Sequence, residues 1–226
     1  MIRLNLAVSF TVTAFALQVT EPAPDAAEKA TKPVTPPQWT RTTRYDELFR
    51  KYTRQYFGPG FDWKIFKAQA MAESNLSANA KSWVGARGLM QLMPATYREI
   101  QTKNPELGTI DDPRWNIAAG IFYDKRLYDA WSEMNMTESR LSYVLGSYNA
   151  GRGTLLNAKA TVRKEGLDEQ QWKHVENHAH KVPRWRYEET LNYVRRIQGF
   201  YETLSMRNGF HGFLSPPTEQ APAAAQ

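Results

Sequence analysis

Apolar residues recur along this chain at helical spacing, and almost nowhere do they alternate as an exposed strand requires. Tyr187, Leu191, Val194, Ile197 and Tyr201 fall at i, i+4, i+7, i+10 and i+14, a single stripe along one helix face. This predicts a helix from about Arg186 to Leu204. Ile117, Ile121, Tyr128 and Trp131 make a second stripe, with Asn116 as the expected N-cap. Leu141, Val144, Leu145 and Tyr148 make a third, capped by Thr137. Asp62 can cap a helix running to about Asn75, with Ile65, Phe66, Ala70 and Ala72 inward. Pro94 suits the first turn of a short helix over 94–101. Residues 76–88, small and polar with two glycines, read as a loop, and 149–153 as a turn. The expected class is mainly α.

The two ends differ from this body. Arg3, the apolar run Leu4 to Phe15 and the small-residue triplet Ala14-Phe15-Ala16 fit a cleaved secretory signal peptide over 1–16. A membrane anchor is a second reading, although the run falls short of the roughly 20 apolar residues that span a bilayer, and an amphipathic or buried N-terminal segment is the plain alternative. Pro22, Pro24, Pro33, Pro36 and Pro37 mark an extended linker over 17–40. The stretch 208–226 reads as a disordered tail, which leaves 41–207 as the folded domain. The chain has no cysteine, so disulfides, thiolate nucleophiles and Cys-ligated metals are excluded. Its net charge of +6 suggests a polyanionic partner: nucleic acid, an anionic membrane face or an acidic cell-wall polymer.

One carboxylate stands out. Glu73 sits in the last turn of the helix that starts near Asp62, seven residues after Phe66 and three after Ala70. There it leans toward the apolar face, where desolvation raises a carboxyl pKa. The negative end of the helix dipole raises it further. A general acid needs that environment to keep its proton at neutral pH. By position alone, an ordinary solvated glutamate at a helix end is the commoner reading, since most carboxylates are ordinary.

The sequence after Glu73-Ser74 runs Ala80-Lys81-Ser82-Trp83-Val84-Gly85-Ala86-Arg87-Gly88-Leu89-Met90-Gln91-Leu92-Met93-Pro94. Two later blocks are Ser147-Tyr148-Asn149-Ala150-Gly151 and Glu189-Thr190-Leu191-Asn192-Tyr193-Val194. In this order the three resemble the family 1 lytic transglycosylases of the lysozyme superfamily. The resemblance covers about residues 60–203. It implies a lysozyme-like, goose-type helical domain with a substrate groove, acting on peptidoglycan glycan strands. The implied reaction cleaves the β-1,4 bond between N-acetylmuramic acid and N-acetylglucosamine. The muramic 6-hydroxyl attacks its own C1 and leaves a 1,6-anhydro end.

By that resemblance Glu73 is the single acid and base. Ser82, Gln91, Met93, Tyr148, Asn149, Glu189 and Tyr193 become substrate-binding positions. Tyr148 is expected to donate a hydrogen bond near Glu73, with core packing as its plain alternative. Ser82 can equally be a loop serine, and Glu189 can equally pair with Arg186 or Arg196. Met90 reads as core. At Arg152 many family members have proline. No Asp or Glu lies between Ser74 and Tyr97, so a second carboxylate for a hydrolytic muramidase must come from farther away, where Asp111, Asp112, Asp124 or Glu189 can supply it. No cofactor is implied. Export to the periplasm or cell envelope follows, as does the absence of stable membrane insertion after signal cleavage. A secretion, conjugation or phage-particle assembly is a compatible setting.

Three other readings compete. His174 and His178 stand four apart near His180, but they lack a metalloprotease motif and lie in what reads as a charged, irregular stretch. No metal site is assigned to them. Basic and aromatic residues interleave in 41–57 and 181–187, a pattern that can track phosphates and stack bases. Acidic residues interrupt both runs, no nucleic-acid motif is present, and a secretory signal opposes that reading. A non-catalytic peptidoglycan-binding module is a third reading, against which Glu73 weighs.

Overall fold

The long stripe read at the C-terminal end forms the last described helix. The structure, a computed structural model, describes residues 42–134 and 138–206. Eight α-helices lie within them: α1 Asp46–Phe57, α2 Lys64–Ser74, α3 Pro94–Lys103, α4 Pro113–Ala130, α5 Glu138–Ala150, α6 Arg152–Lys164, α7 Trp172–His178 and α8 Tyr187–Met206. A single 3-10 turn, Ala179–Lys181, follows α7. The described residues contain no strand, only isolated bridges joining Lys81 to Arg87 and Arg87 to Leu92.

Helix α8 packs against both α2 and α5, and α4 packs against α1 and α5. The resulting core takes Phe49 from α1, Ile65, Phe66 and Met71 from α2, Ile117 and Ile121 from α4, and Val194, Ile197 and Tyr201 from α8. Each such side chain contributes roughly 1.5–3 kcal/mol on burial. Tyr201 also donates to Asp62 Oδ2 at 2.9 Å, fixing the far end of α8 beside the start of α2. Asp62 acts as the expected cap from just outside the helix, its Oδ1 accepting from Lys64 N–H at 3.0 Å.

Several sequence expectations are corrected. Helix α4 begins at Pro113, not at Asn116, because Asp112 caps it by accepting from Arg114 N–H at 2.8 Å. The turn expected over 149–153 is a single break: Gly151 takes a φ of 84° between α5 and α6, and Gly153 continues inside α6. The supposedly irregular 171–181 stretch is mostly the helix α7, held by buried Trp172 and Val175. In the 41–57 run Phe49 and Tyr52 are buried, and in the 181–187 run Trp185 is buried. Those rings face the core and offer no stacking platform to a base. The signal peptide, the Pro-rich linker, the C-terminal tail and the Thr137 cap fall outside the described residues.

Candidate active site

Glu73 is half-buried, one residue before the end of α2. The chain leaves that helix through two left-handed residues, Asn75 with φ 54° and Leu76 with φ 60°. Their N–H groups donate back to Met71 and Ala70 carbonyls at 3.1 and 3.4 Å. This closes the helix end without water and turns the chain into the loop 77–93. Burial is the main force on Glu73 and lifts its pKa from 4.5 to about 7. Two groups oppose that rise. Tyr193 on α8 donates its hydroxyl to Glu73 Oε1 at 2.7 Å, and the Arg196 charge favours the carboxylate. Arg196 also donates to the Ala72 carbonyl at 3.3 Å, holding α8 against the end of α2.

The wall next to Glu73 is a stretch of backbone, residues 88–91, fastened from several sides. Ser74 donates its hydroxyl to the Leu89 carbonyl at 2.9 Å. Asn116 Oδ1 accepts from Met90 N–H at 2.8 Å. Its Nδ2 donates to the Arg87 and Ile110 carbonyls, both at 3.0 Å. Tyr148 donates to the Met90 carbonyl at 2.8 Å. The Met90 peptide is therefore clamped at its N–H and at its C=O. Gly88 makes this possible: its φ is 76°, and a Cβ there would collide with the Asn116 amide. The Met90 side chain is buried against Gly120, which bears out its reading as core.

The predicted positions divide accordingly. Tyr193 meets Glu73 directly. Tyr148 does not: its hydroxyl donates to the Met90 carbonyl in the wall near Glu73, and the bond to the acid itself comes from Tyr193. The Tyr148 ring packs edge-on against Tyr123, and burial raises its pKa well above the usual phenol value. Ser82 accepts from Ala86 N–H at 3.0 Å and closes its own turn. Gln91, at φ 44°, donates its amide to the Gly88 and Ala80 carbonyls at 2.9 and 3.2 Å. Among the described residues its Oε1 accepts no hydrogen bond. Met93 is 41% exposed at the head of α3.

Asn149 opens the stretch read as a turn. It sits in the last turn of α5 and accepts from Thr190 Oγ1 at 2.8 Å, forty-one positions away. Thr190 in turn accepts from Trp185 Nε1 at 3.0 Å. Glu189 is exposed and pairs with Arg186 at 3.1 Å. Although four apart on α8, Glu189 and Tyr193 thus point to different surroundings.

Three contributors have roles here that the sequence reading did not assign to them. Asn116 was taken for a cap, yet a polar side chain inside an otherwise apolar helix face signals an internal tether. Arg196 gave no local signal. Gln69 and Asp124 form the third: both are fully buried, with Gln69 Nε2 3.3 Å from Asp124 Oδ1. Gln69 Oε1 and Asp124 Oδ2 have no hydrogen-bond partner. Burial pushes the Asp124 pKa well up, and the Glu73 charge adds to that rise. A protonated Asp124 has a hydrogen to offer and adds no second charge beneath Glu73.

His174 and His178 direct Nδ1 to the Asp168 and His174 carbonyls at 2.8 and 2.9 Å. Among the described residues no three His, Asp or Glu side chains gather as a metal-binding group. No described helix is long and apolar enough to cross a membrane.

Comparison with known proteins gives this geometry its context. Residues 47–171, more than half the chain, match the family model described as Transglycosylase SLT domain. A membrane-bound lytic murein transglycosylase F from Vibrio cholerae is 29% identical over 178 residues, covering 73% of this chain and 31% of that protein. The protein of the same name from Desulfosudis oleivorans is 28% identical over 182 residues, covering 75% and 38%. The chain thus spans about a third of the length of these curated relatives. Among solved structures, the lytic transglycosylase Slt of Pseudomonas aeruginosa superposes with a TM-score of 0.58 at 20% identity, covering 74% of this chain and 24% of that one. The 70 kDa soluble lytic transglycosylase of Escherichia coli gives 0.52 at 24% identity, with coverage of 73% and 24%. These likenesses show a shared helical, lysozyme-like fold.

Proposed function

This chain belongs to the transglycosylase SLT-domain family, and from that premise we propose that it is a peptidoglycan lytic transglycosylase with Glu73 as its single general acid and base. The observation that carries the reading is the Glu73 environment. A carboxyl lifted to about 7 keeps much of its proton at neutral pH, and a tyrosine hydroxyl 2.7 Å away fixes its orientation. In the first step Glu73 gives its proton to the glycosidic oxygen as the C1–O bond breaks. In the second its carboxylate takes the proton of the muramic 6-hydroxyl as that oxygen bonds to C1. The leaving sugar departs as a free 4-hydroxyl, and the muramic residue is left as a 1,6-anhydro end. Both steps favour a pKa near the working pH, since the same group must give and then accept a proton.

The surroundings of the other carboxylates favour this over hydrolysis. A hydrolytic glycosidase ordinarily needs a second carboxylate facing the sugar. Asp111 is paired with Arg87 at 3.2 Å, Asp112 caps α4, and Glu189 pairs with Arg186. Asp124 is fully buried against Gln69. Gln91, the exposed Met93, Ser82, Asn149 and Glu189 are the positions we assign to the glycan strand. Tyr148 and Tyr193 act beneath them, the first on the wall and the second on the acid. The substrate places the enzyme in the cell envelope. The charge of +6 favours approach to a polymer bearing lactyl and peptide carboxylates. The test is Glu73→Gln assayed on purified sacculi. Release of soluble muropeptides is lost in this variant while its helical circular dichroism is unchanged; retained release would overturn the assignment.

A further inference from the structure

We propose that Trp83 is an outer saccharide platform, stacking on a sugar of the glycan strand beyond the pair being cleaved. This rests on the reading of the protein as a peptidoglycan enzyme. Of the described tryptophans, 63, 115, 131, 172 and 185 are buried or half-buried, whereas Trp83 is 94% exposed. It makes no hydrogen bond or ring contact among the described residues.

The ring is nevertheless held up by a firm support. Ser82 and Ala86 exchange two hydrogen bonds, Ser82 N–H to Ala86 carbonyl and Ala86 N–H to Ser82 Oγ, both at 3.0 Å. Gly85 N–H reaches the Ser82 carbonyl, also at 3.0 Å. At the base of the turn, Gly88 N–H donates to the Ala80 carbonyl at 2.9 Å, and Arg87 and Leu92 exchange a pair at 3.0 Å. A turn with this many internal bonds displays its tip at a fixed angle, so a ligand that stacks there orders little else on binding.

The position ties that tip to the site. The loop that carries Trp83 also carries Leu89 and Met90, whose backbone is fastened beside Glu73. Val84 is 51% exposed and Met93 41% exposed on the same segment. Three of the five exposed large apolar side chains among the described residues therefore lie within 83–93. Scattered single apolar residues need no explanation, whereas three within eleven residues of the loop that passes Glu73 set this segment apart.

The chemistry of the occupant follows. A pyranose ring shows one face of C–H groups that packs on an indole, and its hydroxyls stay in water at the rim. Lys81, exposed at the foot of the turn, supplies a cation for a lactyl or peptide carboxylate on the same strand. A membrane surface would also accept an exposed tryptophan, but here the apolar tip is one indole and one valine on a polar turn. Stable anchoring needs a larger apolar face or a lipid chain.

The test uses the full chain with Trp83→Ala and Trp83→Phe, on long peptide-free glycan strands and on a tetrasaccharide of the same repeat. Trp83→Ala lowers kcat/KM on long strands about tenfold, through KM, and leaves the tetrasaccharide rate and the thermal midpoint unchanged. Trp83→Phe, which keeps an aromatic face, retains most of the long-strand rate. Equal losses on both substrates, or no loss on either, would overturn the proposal. Binding of long strands is measured in parallel with Glu73→Gln, alone and combined with Trp83→Ala. A roughly tenfold weaker Kd in the combined variant supports the platform even if the parent protein proves to cleave nothing, which separates this inference from the activity beneath it. An unchanged Kd overturns it. Loss of co-sedimentation with vesicles of anionic phospholipid, with glycan binding unaffected, overturns it in favour of a membrane contact.

Discussion

Replacing Glu73 by glutamine is expected to stabilise the protein at neutral pH. Burial raises the Glu73 pKa from 4.5 to about 7, so between those values the folded chain holds a proton that the unfolded chain has released. Stability then falls as pH rises through that window, because the native state binds more protons than the unfolded state. Each pH unit within it costs about 1.36 kcal/mol. The rise of about 2.5 therefore costs about 3 kcal/mol once the pH reaches neutrality. Glutamine has nearly the same shape, remains neutral, and still offers Oε1 to the Tyr193 hydroxyl. At pH 7.5 the variant should be about 3 kcal/mol more stable, or about 6–12 °C in thermal midpoint for a domain of this size. At pH 4 the two proteins should melt together, since the carboxyl is then largely protonated in both states. Urea unfolding at a series of pH values reads the difference directly. A variant that is no more stable at pH 7.5, or whose advantage is the same at pH 4, would refute the claim that burial holds the proton on Glu73.

Two further substitutions probe the site from other sides. Tyr193→Phe removes the hydrogen bond that favours the Glu73 carboxylate, so the Glu73 pKa rises beyond about 7. The alkaline limb of the kcat/KM profile should move up by about one pH unit, the smaller end of what a hydrogen bond to a charged group is worth; an unmoved limb would exclude the contact. Asn116→Ala removes three hydrogen bonds to the 87–90 wall and to Ile110. It leaves Met90 N–H buried without a partner, and should lower stability by about 2–4 kcal/mol. Hydrogen exchange at the Met90 amide should speed up, whereas an unchanged amide would show that Asn116 is no tether.

The helices that were legible in the sequence are those whose apolar faces repeat cleanly. Tyr187 to Tyr201 gave α8 within two residues at either end because that stripe meets both α2 and α5. The start of α4 was misplaced because Asn116 resembles a cap locally, while its actual partners are Arg87 and Met90 in the 77–93 loop and Ile110. Helix α6 was hidden by Gly151 and Gly153, of which only the first takes a positive φ. Helix α7 was hidden by its charges, since only Trp172 and Val175 reach the core.

The site followed the same logic. The position of Glu73 could be read from α2 alone, because its place at the helix end and its lean toward Ala70 and Phe66 are local facts. Its partner could not be read this way. Tyr148 and Tyr193 offer the same phenol, and only the packing of α5 and α8 decides that one reaches Met90 and the other Glu73. The Asp124–Gln69 pair and Arg196 depend likewise on how separate helices pack, which no local pattern encodes.

The claim that Glu73 works alone, with the sugar's own hydroxyl as nucleophile, is tested most directly by the products. Sacculi digested by the parent protein in water enriched in heavy oxygen, then analysed by mass spectrometry, should yield muropeptides ending in 1,6-anhydromuramic acid with no heavy oxygen at C1. Reducing ends that carry the heavy oxygen would show that water attacks C1, and would contradict the account.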